Sequence, residues 1–200
     1  LGAYPPVPTG CVVDCYSNVL FLPGIMGSRL YETTDIEHPL WVSAVDVKQA
    51  ELKLDANGKS INNVYTKNDT QRLDGDTDET GIVDDIFSLN IYQSFINDLK
   101  KWKQDDKIIE DYAFIPYDWR LSLDDIINNG SASLDGKLSY TQPQDFSQSF
   151  ILKKLEELQQ SSRSGKVTII GHSNGGLVAK ALIQKLEDTN NPLYDKIDKV

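Results

Sequence analysis

The sequence is poor in the residues on which metal and redox chemistry depend. Two cysteines and two histidines occur in 200 residues, namely Cys11, Cys15, His38 and His172. Those counts argue against a zinc site built from several Cys and His ligands. They also leave a histidine-dependent mechanism only two candidates for its base. Positive charge is scarce as well, with 20 Lys and Arg against 30 Asp and Glu and a net charge of −10. A field of that sign repels phosphate backbones and anionic lipid, which excludes nucleic-acid binding by bulk charge. No apolar run approaches the roughly 20 residues that span a bilayer, so an integral membrane helix is excluded too.

What is present supports a folded domain. The apolar fraction is 40 %, and three Trp, nine Tyr and six Phe supply large core side chains. A chain of this length buries a sizeable core. Cys11 and Cys15 stand four apart, a spacing that is neither the redox C-x-x-C nor half of a common zinc pair. Two readings remain, a local disulfide of an exported protein and a pair of free thiols, and the disulfide is preferred. The chain starts at Leu1 with no signal peptide, which reads as a processed or trimmed N-terminus of a secreted protein. The sequons at Asn68 and Asn129 are too common by chance to decide anything.

Along the chain, residues 1–16 read as an irregular arm and 17–200 as part of one domain. Asn18–Leu22 (NVLFL) predicts a buried strand closed by Pro23-Gly24. Residues 29–88 differ in texture. They carry turn chemistry at 55–58 and an acidic stretch at 68–80, with a single plausible helix over 45–54, and read as an inserted excursion outside the core sheet. Apolar residues recur at helical spacing over Leu89–Trp102 and again over Ser147–Gln160. Tyr112–Pro116 and Lys166–Ile170 predict strands, Gly176–Leu186 a helix, and Lys196–Val200 the start of a fourth strand. This alternation predicts an α/β fold with a mostly parallel sheet flanked by helices.

Gly171-His172-Ser173-Asn174-Gly175 matches G-x-S-x-G, with an apolar strand running in and a helix running out. A strand–serine–helix turn of this kind needs small residues two before and two after the serine, here Gly171 and Gly175. Strained backbone at the serine lifts its hydroxyl above the sheet, and the helix N-terminus points at the reacting carbonyl. Ser173 is therefore the candidate nucleophile, against the blander reading of a Gly-rich turn that packs closely or holds a phosphate. The developing oxyanion needs two N–H donors. The backbone of Asn174 supplies one, and the loop Pro23–Ser28 after the first strand supplies the other. Within that loop Gly24 and Gly27 allow the turn, and the Ile25 N–H is the expected donor.

Three motifs in order, PGIMGS after a strand, PYDWR after a second, and GHSNGG at the serine, resemble the lecithin:cholesterol acyltransferase family. That family includes lysosomal phospholipase A2 and phospholipid:diacylglycerol acyltransferases, and the resemblance spans residues 17–200. It implies an α/β-hydrolase core with a lid inserted at about 29–88. It also implies an acyl-enzyme on Ser173, formed from a lipid ester and passed to water or an alcohol, without cofactor or metal. Contact with a lipid surface is at most peripheral in this reading. Asn174 stands where family members often carry Leu or Met. Asp118 and Arg120 are expected to pair and order the loop beside the site, with Trp119 as apolar wall. Trp41, with Pro39 and Leu40, reads either as lipid-facing lid surface or as ordinary packing.

The remainder of a Ser–acid–His triad is missing. Glu187, Asp188, Asp195 and Asp198 follow Ser173, but no histidine does, and none of the four is nominated as the acid. His38 precedes the serine, and His172 should point away from its hydroxyl. The chain accordingly reads as the N-terminal portion of a longer hydrolase, incomplete at its C-terminus and inactive alone. Two rivals stand beside the lipid-ester reading: an amidase or thioesterase on the same scaffold, and a hydrolase-like binding module without activity. Asp74, Asp76, Asp78 and Asp85 imitate a calcium loop, but Glu79 stands where the sharp turn needs Gly, so a solvated loop is the reading preferred.

Overall fold

The computed structural model describes residues 16–33, 37–41, 52–68, 81–86 and 89–200. The arm up to residue 15 with Cys11 and Cys15, the acidic run 73–79 and most of the expected helix at 45–54 lie outside these residues. In chain order the strands begin with β1 (Asn18–Leu22), β2 (Leu30–Thr33), β3 (Glu37–Trp41), β4 (Val64–Lys67), β5 (Asp85–Ile86) and β6 (Leu89–Asn90). Helix α1 (Gln93–Gln104), β7 (Tyr112–Phe114), α2 (Leu123–Asn129), β8 (Ser131–Ala132) and β9 (Lys137–Ser139) follow. The chain then forms α3 (Phe150–Ser161), β10 (Val167–Gly171), α4 (Asn174–Asp188) and β11 (Ile197–Lys199).

Four strands form one sheet in the order β11-β10-β1-β7, and every pairing in it is parallel. The fold is thus α/β with a parallel sheet flanked by helices. An unbroken apolar run is what a strand covered on both faces requires, and NVLFL is buried at all five positions. Leu20 and Leu22 face the main core with Ile169, Leu155 of α3 and Leu182 of α4. Val19 and Phe21 face the other way, onto Leu99 and Ile96 of α1. Helices therefore cover opposite faces, α1 on one and α3 with α4 on the other.

Strand order also locates the crevice. From β1 the chain moves outward to β7, returns past β1 to β10, and then moves the opposite way to β11. The winding reverses between the adjacent strands β1 and β10. In open parallel sheets, the carboxyl ends of such a strand pair leave a cleft that the flanking helices do not fill. Those ends are Leu22 and Gly171, which pair in register.

The described residues between 29 and 88 contribute no strand to the parallel sheet. They supply β2, β3 and β4, which join β9 and β8 in a second, antiparallel sheet of order β3-β2-β4-β9-β8. Leu54, placed by the sequence at the end of a helix, instead bridges Ser60 across the 55–58 turn. Helix α1 begins at Gln93 rather than Leu89, because the carbonyl of Asp84 gathers the N–H groups of Ile91, Tyr92 and Gln93 at 3.0, 3.0 and 3.1 Å. Ile91, placed on the apolar face by spacing alone, is exposed. Asn129 is buried and its Nδ2 donates to Asp125 at 3.0 Å, so this sequon is closed in the folded chain.

One polar residue braces the sheet. Asn18 is fully buried, and its Oδ1 accepts from the backbone N–H groups of Glu110 and Asp111 at 2.9 and 2.8 Å. Its Nδ2 donates to the carbonyl of Leu158 and to Ser161 Oγ, both at 3.0 Å. A single amide thus ties β1 to the segment before β7 and to the end of α3. Asn18→Leu keeps the volume but strands these partners in the interior, and is expected to lower the unfolding free energy by about 3 kcal/mol in urea titration.

Candidate active site

Ser173 sits between β10 and α4 with φ +52° and ψ −118°, a backbone region that non-glycine residues rarely enter. Such a conformation costs on the order of 1–3 kcal/mol and persists only where the surroundings enforce it. The enforcement here is backbone against backbone. A Cβ at Gly175 would lie 2.1 Å from the carbonyl oxygen of Leu22, and one at Gly171 would lie 2.7 Å from the Gly175 carbonyl carbon. Only hydrogen fits at either position. The His172 N–H donates to the Leu22 carbonyl at 3.0 Å, and the Gly175 N–H donates to the His172 carbonyl at 2.8 Å. The turn is pinned to the end of β1, leaving the Ser173 residue exposed at the start of a 15-residue helix.

The loop after β1 lies directly on this turn. A Cβ at Gly24 would stand 2.9 Å from His172 Nδ1 and 3.2 Å from Ser173 Cβ. Gly27 closes the loop by donating its N–H to the Gly24 carbonyl at 2.9 Å, with Met26 at φ +62°. Gly27 is itself hemmed in, since a Cβ there would meet the Gly24 carbonyl and Pro23 Cβ, both at 2.9 Å. The Gly24 N–H is already taken, donating to the Tyr92 hydroxyl at 2.9 Å. The Ile25 and Asn174 N–H groups, by contrast, meet no acceptor among the described residues. The Asn174 N–H is the first of α4, where the helix itself offers no acceptor. Two free amides therefore stand at this turn, that of Asn174 directly after the serine and that of Ile25 directly after Gly24.

Beside them, the Tyr117–Arg120 loop is held from within. The buried Asp118 carboxylate takes Arg120 in two-pronged contact, Nε at 2.8 Å and a terminal nitrogen at 2.5 Å, and the same guanidinium reaches Ser60 Oγ at 2.9 Å. Trp119 Nε1 donates to the Ser28 carbonyl at 3.1 Å, and the Tyr117 N–H donates to Ser28 Oγ at 3.0 Å. Trp41 packs edge-on against Trp119 with ring centroids 6.0 Å apart, and its Nε1 donates to the Met26 carbonyl at 2.8 Å. These contacts give Trp41 a packing role under the loop. Tyr117 is buried, its hydroxyl donating to the Pro23 carbonyl at 2.6 Å, and burial pushes the phenol up to about 12.

Of the two histidines, His172 turns toward Tyr92, with Nδ1 2.8 Å from its hydroxyl, and His38 lies in β3 of the second sheet. Asp195 precedes β11 and Asp198 lies within it, its carboxylate accepting from Ser17 Oγ at 3.0 Å; Glu187 and Asp188 end α4. Among the described residues no three His, Cys, Asp or Glu side chains gather as a metal site, and no helix is long and apolar enough to cross a membrane. Sequence reasoning overlooked the two tyrosine hydroxyls. Tyr92 was legible only as an apolar position on a helix face, and Tyr117 only as a loop residue. The signal available was a phenol placed where the burial pattern would have accepted Phe.

Two adjacent glycines give opposite expectations. Gly175→Ala forces backbone apart and is expected to cost several kcal/mol or prevent folding, on the scale of overpacking or worse. Gly176→Ala meets nothing within 4 Å and gains helix propensity, so it is expected to be neutral or to stabilise by up to about 1 kcal/mol. Denaturant titration of both variants checks the contrast. Tyr117 adds a pH dependence. Its folded-state value is raised from 10.0 to about 12, so its contribution is complete below pH 10 and is lost as pH rises toward 12. Unfolding free energies measured across that interval should fall less steeply in Tyr117→Phe.

Comparison of the chain with protein-family models, with curated proteins and with solved structures found no match in any of the three.

Proposed function

We propose that the chain carries the nucleophile and oxyanion donors of an α/β-hydrolase that forms an acyl-enzyme on Ser173 from a lipid ester. The observation that carries this reading is Ser173 at positive φ on the reversal point of a parallel sheet, with the free Ile25 and Asn174 amides at the same turn. The serine oxygen attacks the ester carbonyl, its proton passes to a base, and the carbonyl oxygen becomes an oxyanion facing the two N–H groups. Collapse expels the alcohol, which takes the proton, and leaves the acyl group on Ser173. Water or a second alcohol then takes the acyl group, which separates hydrolase from O-acyltransferase.

A lipid ester is favoured by the resemblance of the three ordered motifs to those of the lecithin:cholesterol acyltransferase family. Exposed Ile25 and Met26 on the loop after β1 agree with an apolar acyl chain and with peripheral contact to lipid. An extracellular setting is part of the proposal and rests on the Cys11 and Cys15 pair. The reading requires a histidine and an acid beyond the residues assigned above, since the His172 ring is turned to Tyr92 and His38 lies in β3 of the second sheet. That same engagement favours the rival, a hydrolase-like binding module.

A fluorophosphonate probe decides between them. In a chain extended to include a downstream Asp and His, Ser173 is expected to be labelled and Ser173→Ala is not. The 200 residues alone are expected to show no steady ester turnover. Absence of labelling in the extended chain supports the binding module, and steady turnover by the short chain that Ser173→Ala abolishes refutes the assignment of the base.

A further inference from the structure

Outside the elbow itself, one arrangement has no part in the chemistry above. The peptide unit joining Pro23 to Gly24 is gripped at both ends by tyrosine hydroxyls. Its carbonyl accepts from Tyr117 at 2.6 Å, and its N–H donates to Tyr92 at 2.9 Å. Each hydroxyl has a second partner, and these partners are the side chains on either side of the nucleophile. Tyr92 meets His172 Nδ1 at 2.8 Å, and Tyr117 accepts from Asn174 Nδ2 at 3.3 Å.

We propose that Tyr92 and Tyr117 are positioning residues that clamp the Pro23–Gly24 peptide, and that His172 and Asn174 couple this clamp to the serine turn. The inference rests on the reading in which the Ile25 N–H serves an oxyanion at Ser173. A rotation of the 23–24 peptide plane re-aims the next amide, that of Ile25. With both the carbonyl and the N–H of the plane held, this rotation breaks two buried hydrogen bonds at once.

The proton inventory is consistent with the clamp. The Tyr92 oxygen accepts from the Gly24 N–H and makes its other hydrogen bond with His172 Nδ1. Tyr117 gives its single proton to Pro23 and keeps a lone pair for Asn174. Both rings are fixed by burial, Tyr92 edge-on to Phe21 with centroids 5.1 Å apart. Burial raises both phenols above their usual value, so both remain donors at ordinary pH. The side chain of Asn174 thereby gains a role that the apolar residues common at its place in the resembling family could not fill.

The test compares three phenol deletions, Tyr92→Phe, Tyr117→Phe and Tyr140→Phe, by amide hydrogen exchange and nitrogen NMR on the full chain. Tyr140 is the control, a buried phenol that donates to the Pro116 carbonyl at 2.8 Å and makes no bond to the Pro23–Gly24 peptide. Tyr92→Phe is expected to speed exchange at Gly24 about five-fold or more, as loss of one hydrogen bond implies. It should also shift the His172 Nδ1 resonance, which a purely structural softening elsewhere does not move. Tyr140→Phe should do neither. Because buried deletions risk unfolding, His172→Ala and Asn174→Leu remove the outer ends of the clamp without touching the core. They should speed exchange at Gly24 while the melting curve holds. Unchanged exchange in Tyr92→Phe, an equal effect in Tyr140→Phe, or no response to either outer variant overturns the clamp. Fluorophosphonate labelling separates this from the function proposed above. If Ser173 of the extended chain is labelled, Tyr92→Phe and Tyr117→Phe should slow it and Tyr140→Phe should not, and equal rates in all three overturn the positioning role. If nothing is labelled, the ester reading fails and the exchange data alone decide the clamp.

Discussion

The close approach of Gly175 to the end of β1 is the contact on which the rest of the site depends. It joins the two strands where the winding reverses, through carbonyl oxygens and hydrogens with no side chain between them. Because the Leu22 carbonyl also accepts from His172, the first turn of α4 and the last residue of β1 behave as one rigid piece. Interiors pack too densely for such a contact to give by an ångström. The unfavourable φ of Ser173 is maintained by that piece, and the exposure of its hydroxyl follows from the same strain.

The loop after β1 inherits its position in turn. Gly24 touches both Ser173 and His172, while Ser28, a few residues on, anchors the Tyr117–Arg120 loop through its hydroxyl and its carbonyl. The Asp118–Arg120 pair is buried, and an ion pair in that environment offers little net stability against an apolar alternative. Its geometric effect is larger. It fixes the backbone that carries Tyr117 and Trp119, and through them the floor beneath Pro23 and Met26. The second sheet meets the site at the same place, by the Trp41 contacts with Trp119 and with the Met26 carbonyl.

Much of this was legible in the residues. NVLFL announced a strand buried on both faces, because only such a strand has no polar side to show. GHSNGG announced a tight turn, because glycines two before and two after a serine between strand and helix have few other uses. The antiparallel sheet was not legible. Its strands are two to five residues long, are distributed from Leu30 to Ser139, and pair across 70 to 74 positions of sequence in the case of β4 and β9. Short strands with half-buried faces leave no periodicity for a local reading to find. The start of α1 was misplaced for another reason: Ile91 fits the helical spacing, but the Asp84 carbonyl takes the N–H groups of Ile91, Tyr92 and Gln93, so the helix begins at Gln93.

By itself the sequence determined the alternation of strands and helices, the place of the serine turn, and the glycines without which that turn cannot close. These are local matters of backbone sterics and side-chain period. The tertiary structure decided which strands are neighbours, and hence that Gly24 and Ser173, some 150 residues apart in the chain, lie in contact. It also decided what Tyr92, Tyr117, His172 and Asn174 do. A hydroxyl or an imidazole has no role until an acceptor or donor stands within about 3 Å of it, and the fold alone brings those partners together.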